Sequence, residues 1–427
     1  MFGLTAFVAL LAAPAVLAHP IEHNHVEQRS LGARWFHETA HPVHGLFARQ
    51  SNSNASDPGS PDWAKQYPAG KATKDTLKPE WLDALNKAVS AGLIPTNVPV
   101  AKQSGGAAPS YSNSTGKMDP AKQPICSSSA QCKGDGQIYD VPDGIVALSF
   151  DDGPLPPSKK LYEFLRANNQ KATHFYIGQN IIENHALLTE AFEVNGDDIA
   201  VHTWSHRYMT TLSNEEALAE LAWTMQVIHD MTGGRVPRFW RPPYGDSDNR
   251  VRAIAREVLG LTTVIWNDDT DDWAITETPA TQTVSGATKV LQKAYTGPKS
   301  PGLCILEHEL SDQSVSIFMN TYPLIAQNGW TAKSIPDAVG STYYLNAADN
   351  TSPVTTVGVA QPVPTLIVST STTSGNSTSG GNSNGGSNSG SSSNSSSEPS
   401  HSAALPNAAW SAWLTLAAMI PMSIALF

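Results

Sequence analysis

The chain has 427 residues and a formal net charge of −11, from 27 Lys and Arg against 38 Asp and Glu. That balance excludes a nucleic-acid partner, since phosphate binding needs clustered Lys and Arg. Length alone would accommodate two domains, but long Ser-, Thr-, Gly- and Asn-rich stretches cannot bury a core, which leaves only the middle of the chain to fold as a globular unit.

In chain order, Met1 to Ala18 is a short apolar run ending in Val16-Leu17-Ala18. It is too short to span a bilayer comfortably and reads as a signal peptide, although its first residues lack Lys and Arg. Residues 19–125 form an N-terminal extension, expected to be partly disordered or loosely packed, with one helix over Lys78 to Val89. Its His-rich stretch, His19 to His44, has irregular spacing and reads as a solvated or removable pro-segment, with metal binding as the alternative. The chain has three cysteines, so at least one lacks an intramolecular partner. A Cys126–Cys132 bridge would close a small ring worth roughly 2 kcal/mol in chain-entropy terms. Cys304, in an apolar run, reads as a buried thiol, and a bridge from it to either of the others is the alternative.

Between residues 126 and 345 apolar runs alternate with helical patterns. Strands are expected at Ile145 to Phe150, Ala172 to Ile177, Ile199 to His202, Phe239 to Arg241, Thr262 to Trp266 and Leu303 to Leu306. Helices are expected at Pro157 to Asn168, Asn214 to Met231, Ser247 to Val258 and Ala280 to Tyr295. Such alternation implies an α/β fold with a mainly parallel sheet.

Residues 346–402 read as a flexible, O-glycosylated stalk, and sequons at Asn54, Asn113, Asn350, Asn376 and Asn394 are candidate N-glycosylation sites. Residues 403–427 close on the apolar run Ala408 to Phe427, with no basic stop after it. Small residues, a short spacer and an apolar tail form the pattern of a glycosylphosphatidylinositol (GPI) attachment signal, which is removed. A retained transmembrane helix is the alternative.

The chemistry lies in four short segments. Ser149-Phe150-Asp151-Asp152-Gly153-Pro154 ends the first strand, so two carboxylates stand at a strand's C-terminal edge. One can bind a cation while the other accepts a proton from activated water. His202 and His206, four apart and expected on one side of a helical turn, supply nitrogen ligands; with one carboxylate they make three protein ligands and leave a position open. Arg241-Pro242-Pro243-Tyr244-Gly245 and Leu306-Glu307-His308 each follow a further strand, which is how a barrel enzyme collects a site from several strand ends.

These blocks resemble the polysaccharide deacetylase family (carbohydrate esterase family 4, the NodB homology domain), and most closely its fungal chitin deacetylases, over about residues 140 to 335. The resemblance implies a distorted (β/α) barrel with fewer than eight strands. It also implies Asp151 as catalytic base, Asp152, His202 and His206 as metal ligands, and Arg241 as the residue that orients the base. Tyr244 would donate its backbone N–H to the oxyanion and line the substrate site, its ring mattering less. In Trp266-Asn267-Asp268-Asp269-Thr270-Asp271-Asp272-Trp273, Asp272 would tune the catalytic histidine, and Trp266 and Trp273 would build an apolar wall. His308 would be the general acid and Leu306 the seat of the acetyl methyl. The family's Leu-x-His-Asp pattern departs here to Leu306-Glu307-His308-Glu309, and Glu309 is expected to keep a carboxylate role near the site.

The implied activity is hydrolysis of N-acetyl groups of chitin by a monomeric, secreted enzyme that carries one Zn2+ or Co2+ and is held by a GPI lipid at the plasma membrane and cell wall. The alternatives are a deacetylase of peptidoglycan or acetylxylan, or a catalytically silent chitin-binding wall protein. A poised base, acid and metal set argues against the last, because binding alone needs aromatic surfaces.

Overall fold

The apolar run Ile145–Phe150 does not form one strand, and the barrel is organised around its break. A computed structural model describes residues 57–105 and 107–355. The expected signal peptide, His-rich stretch, attachment signal, the stalk beyond residue 355 and the sequons at Asn54, Asn376 and Asn394 lie outside the described residues. The described strands are β1 (Tyr111–Asn113), β2 (Gly116–Met118), β3 (Ile145–Ala147), β4 (Ser149–Asp151), β5 (Thr173–Tyr176), β6 (Asp198–Val201), β7 (Phe239–Trp240), β8 (Thr262–Thr263), β9 (Asp268–Asp269), β10 (Leu303–Leu306) and β11 (Thr331–Lys333).

Strands β1 and β2 make an antiparallel hairpin. All other pairs are parallel, in a four-stranded sheet of order β11-β3-β10-β9 and a five-stranded sheet of order β4-β5-β6-β7-β8. The two sheets are continuous through Leu148. Its N–H donates to the Lys333 carbonyl at 2.7 Å and its carbonyl accepts from the Thr173 N–H at 3.0 Å, so at this residue the chain leaves β11 and joins β5. A parallel bridge between Asp151 and His308 ties β4 to the end of β10. Residues 264–267 alone separate β8 from β9. The result is a distorted (β/α) barrel with fewer than the eight staves of a regular one. Every residue of β4, β5 and β6 is buried, as expected for parallel strands covered on both faces.

The helix Asn214–Met231 has the expected bounds because Ser213 and Glu216 form a reciprocal capping box at its start. The helix expected from Ala280 begins only at Val284, where Thr283 caps the Gly286 N–H. A helix at Asp312–Thr321, not anticipated, starts from a Ser311 cap.

Within the segment that composition set apart as a loose extension, the residues from Trp63 to Ile94 are packed into the barrel's own core. Trp63, Tyr67, Trp81 and Leu85 are buried in one cluster with Trp204 and Trp223. Trp81 meets Trp223 edge-on with centroids 5.0 Å apart, and Tyr67 stacks on Trp204 at 6.1 Å. The two indole N–H groups of the barrel donate back into this segment, Trp204 to the Gly70 carbonyl at 2.8 Å and Trp223 to the Thr76 carbonyl at 3.0 Å. Each ring so buried stabilises by roughly 2–3 kcal/mol and offsets part of the entropy lost in ordering the segment. Cys126 and Cys132 form the disulfide, and Cys304 is a free, buried thiol.

Candidate active site

All candidate residues lie at or just after the C-terminal ends of parallel strands: Asp151 closes β4, His202 follows β6, Arg241 follows β7, Asp272 lies beyond β9 and His308 follows β10. The histidines sit differently from expectation. No helical turn carries them; His202 and His206 bracket a loop after β6 in which Thr203 (φ 64°) and His206 (φ 55°) are left-handed. Asp152 (71°), Tyr244 (60°) and Asp271 (52°) share this conformation. It is costly for a side-chain-bearing residue, most of all a β-branched one such as Thr203, and such strain concentrates where geometry serves function.

Asp152 Oδ1 is the focus of the loop. It has no hydrogen-bond partner, and His202 Nε2 and His206 Nε2 both face it at 3.3 Å. The other ring nitrogens are occupied. His202 Nδ1 lies 2.7 Å from the Arg241 carbonyl, an acceptor only, which fixes the proton on Nδ1 and leaves Nε2 as a bare donor atom. His206 Nδ1 lies 3.2 Å from the Tyr244 hydroxyl. Burial lowers His206 to about 4. Burial alone would raise Asp152, but His206, His202 and His308 hold it well below the usual carboxylate range. Three electron-pair donors thus converge on one point, all within 4.8 Å of each other, an arrangement that fits a divalent cation and little else.

Asp151 is almost fully buried and divides its carboxylate. Oδ1 accepts from Arg241 Nη1 at 2.6 Å, while Oδ2 lies 3.8 Å from His202 Nε2, toward the cation position. Arg241 is fully buried, also donates to Ser149 Oγ at 2.9 Å, and has Phe175 4.3 Å beneath its guanidinium. On the other side, His308 Nδ1 lies 2.7 Å from Asp272 Oδ1, and the His308 backbone N–H donates to Asp272 Oδ2 at 3.0 Å. Burial opposes the charged imidazole, but the Asp272 carboxylate overrides it and raises His308 to about 10.

Leu306 is buried at the end of β10. Trp266 is half-buried against Gly245, whose φ of 65° disfavours any side chain and whose Cβ position lies a tight 3.1 Å from the indole. Trp273 follows Asp272 on a short turn and remains 38% exposed. Tyr244 is half exposed, and its ring is more engaged than expected. It stacks on Tyr208 with centroids 4.0 Å apart while its hydroxyl meets His206.

Sequence reasoning missed the support beneath the histidine loop. Glu220, inside the helix Asn214–Met231, is fully buried and accepts from the N–H groups of Trp204 (3.0 Å) and Ser205 (2.8 Å) and from the Ser205 hydroxyl (2.6 Å). Burial pushes its carboxyl up, and these donors oppose the shift. Glu309 does keep a carboxylate one residue from His308, but it turns inward to the buried His174. Among the described sequons, Asn113 is exposed at the end of β1, whereas Asn350 is half-buried. Both N–H bonds of its amide are used, to the carbonyls of Phe192 (3.0 Å) and Asp197 (2.8 Å), so a glycan there would displace structural hydrogen bonds.

Residues 139–264 match the family model described as polysaccharide deacetylase. The chain is 43% identical over 332 residues to chitin deacetylase 3 of Cryptococcus neoformans var. neoformans serotype D, covering 76% of this chain and 78% of that protein. It is 31% identical over 284 residues to chitin deacetylase 2 of Saccharomyces cerevisiae, covering 66% and 86% respectively. Among solved structures, the chitin deacetylase of Colletotrichum lindemuthianum superimposes with a TM-score of 0.44 at 22% identity, over 48% of this chain and 92% of that one.

Proposed function

The chain belongs to the polysaccharide deacetylase family and is a metal-dependent hydrolase of the chitin deacetylase type, and from that premise we propose how its own residues divide the reaction. Chitin N-acetylglucosamine and water give glucosamine and acetate: a C–O bond forms at the acetyl carbon and its C–N bond breaks. The observation that carries the assignment is the orphaned Asp152 oxygen faced by two imidazole Nε2 atoms, beside a second carboxylate already tied to arginine.

Asp152, His202 and His206 hold the cation, and their mixed oxygen and nitrogen donors suit Zn2+ and tolerate Co2+. When bound, the cation supplies a Lewis acid that lowers the pKa of water and polarises the acetyl carbonyl. Asp151 takes the water's proton on Oδ2, since Arg241 already occupies Oδ1. Arg241 fixes the carboxylate's rotation. The Tyr244 backbone N–H stabilises the tetrahedral oxyanion. His308, oriented by Asp272 through Nδ1, carries its transferable proton on Nε2 and delivers it to the departing amine. Amide nitrogen leaves only when protonated, which is why an acid with a raised affinity for its proton belongs there. Leu306 receives the acetyl methyl, and Trp266 and Trp273 flank the sugar.

The same reading makes the chain a secreted monomer, with the signal peptide over residues 1–18 removed and residues 403–427 exchanged for a GPI lipid at the cell surface. The order of small residues, spacer and apolar tail supports it. A chain ended before Asn394 should be secreted soluble and active, and recovery of a peptide containing Trp410 or Trp413 from the mature surface protein would instead favour a transmembrane helix. The substrate assignment is tested by acetate release from chitin oligomers, peptidoglycan and acetylxylan side by side. Release from chitin oligomers should dominate, and preference for either of the others overturns it.

A further inference from the structure

Behind the site lies a second group of ionisable side chains with no part in the chemistry above. His174, on β5, is fully buried between two fully buried carboxylates: its Nδ1 faces Glu309 Oε1 at 3.2 Å and its Nε2 faces Asp197 Oδ2 at 3.3 Å. Tyr162 (ring centroids 5.0 Å), Tyr176 (5.6 Å) and Phe150 (5.9 Å) wall the imidazole. Asp197 is itself held, accepting from the Ala172 N–H at 3.1 Å and from the Asn195 amide at 3.1 Å. Burial would discharge His174, but Glu309 and Asp197 raise it to about 10, which favours the charged ring between them.

Glu309 is also the residue whose side chain is one methylene longer than the family pattern, and that methylene is what spans to His174; an aspartate would fall short by about 1.5 Å. The space it needs is kept by Gly153, two residues after the base, where any Cβ would collide with the Glu309 carboxylate. The main chain on both sides of His308 is bonded to the base residue. The Asp151 N–H donates to the Glu307 carbonyl at 3.0 Å, and the Glu309 N–H donates to the Asp151 carbonyl at 3.1 Å. His308 therefore sits at the middle of a three-residue bridge whose far end is anchored through the Glu309 side chain.

We propose that Glu309 is a positioning residue for His308, clamped by His174 and Asp197 so that the bridge aims the imidazole at the departing amine. This rests on the reading of His308 as general acid. The side-chain bonds of the clamp run between Glu309, His174 and Asp197 and not to the cation ligands or to Asp151 Oδ2, so its loss should fall on proton delivery more than on the steps that need no acid.

The test compares two substrates. Release of acetate from chitin oligomers requires a protonated amine, whereas 4-nitrophenyl acetate expels a phenolate unaided. With a placement error of an ångström or so in the acid, Glu309→Asp should lower kcat on the oligomers about tenfold or more, with KM unchanged and ester hydrolysis within about twofold. Glu309→Gln, which keeps the reach and an acceptor for His174, should hold the ratio of the two rates within about threefold of wild type. A wild-type ratio in Glu309→Asp overturns the proposal, and so does an equal loss on both substrates in a variant with an unchanged melting temperature. His308→Ala is the reference: it should lose about a hundredfold on the oligomers and little on the ester. If His308→Ala leaves the ratio unmoved, it is the general-acid reading that fails, a result distinct from failure of Glu309→Asp alone. Should Glu309→Asp not fold, His174→Gln is read by the same ratio, with the same two outcomes.

Discussion

Two groups of histidine and carboxylate lie within a few residues of each other in this barrel and behave in opposite ways. In the outer group two ring nitrogens converge on a single oxygen of Asp152 that has no hydrogen bond, each at 3.3 Å. In the inner group one ring, His174, presents each nitrogen to a different carboxylate, so two protons satisfy it completely. The residue types are the same. What differs is the sharing of the ring nitrogens: two rings aimed at one carboxylate oxygen suit a cation, whereas one ring divided between two carboxylates makes a buried ion cluster. A motif of His and Asp therefore signals a metal only when the tautomers are counted.

The sharpest test of that contrast is to disturb the outer group. Asp152→Asn should abolish metal retention and reduce activity to background, and chelation of the wild type should do the same until Zn2+ or Co2+ is restored, with metal content followed by elemental analysis. Asp151→Asn should lose turnover by about two to four orders of magnitude yet keep its metal. Equal metal loss in the two variants would erase the division of labour between the adjacent acids. Next in size, His308→Ala should cost on the order of a hundredfold in kcat on chitin oligomers, and near-normal turnover would remove it from the reaction.

A smaller effect probes the histidine partners. Tyr244→Phe keeps the backbone N–H but deletes the hydroxyl beside His206 Nδ1, so metal affinity should fall about tenfold in a competition titration. Unchanged affinity would show that the His206 tautomer is set without it. The smallest effect belongs to the inner group. His174 is raised from 6.5 to about 10 in the folded chain, so its contribution to stability is complete below about pH 6.5 and disappears as pH rises through about 10. The difference in urea midpoint between wild type and Glu309→Gln should accordingly shrink between those limits, and a constant difference would mean that His174 is not charged.

Much of the site was legible because its residues are consecutive with strand ends: apolar runs followed by Asp151-Asp152, His202, Arg241 and His308 locate the carboxyl edge of a parallel barrel before any coordinate is known. The break at Leu148 was not legible, since a β-branched run announces a strand but not which neighbours it pairs with, and here the neighbours change within one residue. Glu220 was equally hidden. In a helix rich in Glu and Ala it reads as a solvated residue, and only the tertiary fold turns it toward the loop of Trp204 and Ser205. His174 was passed over for lack of a partner in the local sequence; Glu309 lies 135 residues away. For residues 57–125 a signal did exist. Averaged composition spoke for disorder, yet Trp63, Tyr67 and Trp81 are residues that disordered segments seldom carry.

The burial of those aromatic side chains bears on where this enzyme can be cut. A chain begun at residue 126, or at the edge of the family match, would look complete by motif and would contain every residue assigned to the reaction. It would nevertheless strip Tyr67 and Trp81 from Trp204 and Trp223, and the two indole N–H groups would lose the carbonyls of Gly70 and Thr76. Trp204 lies in the loop between His202 and His206, so the scar would open behind the candidate cation site. The smallest autonomous catalyst in this sequence therefore begins before Trp63, and recombinant fragments trimmed to the motif boundaries should precipitate or fail to hold metal.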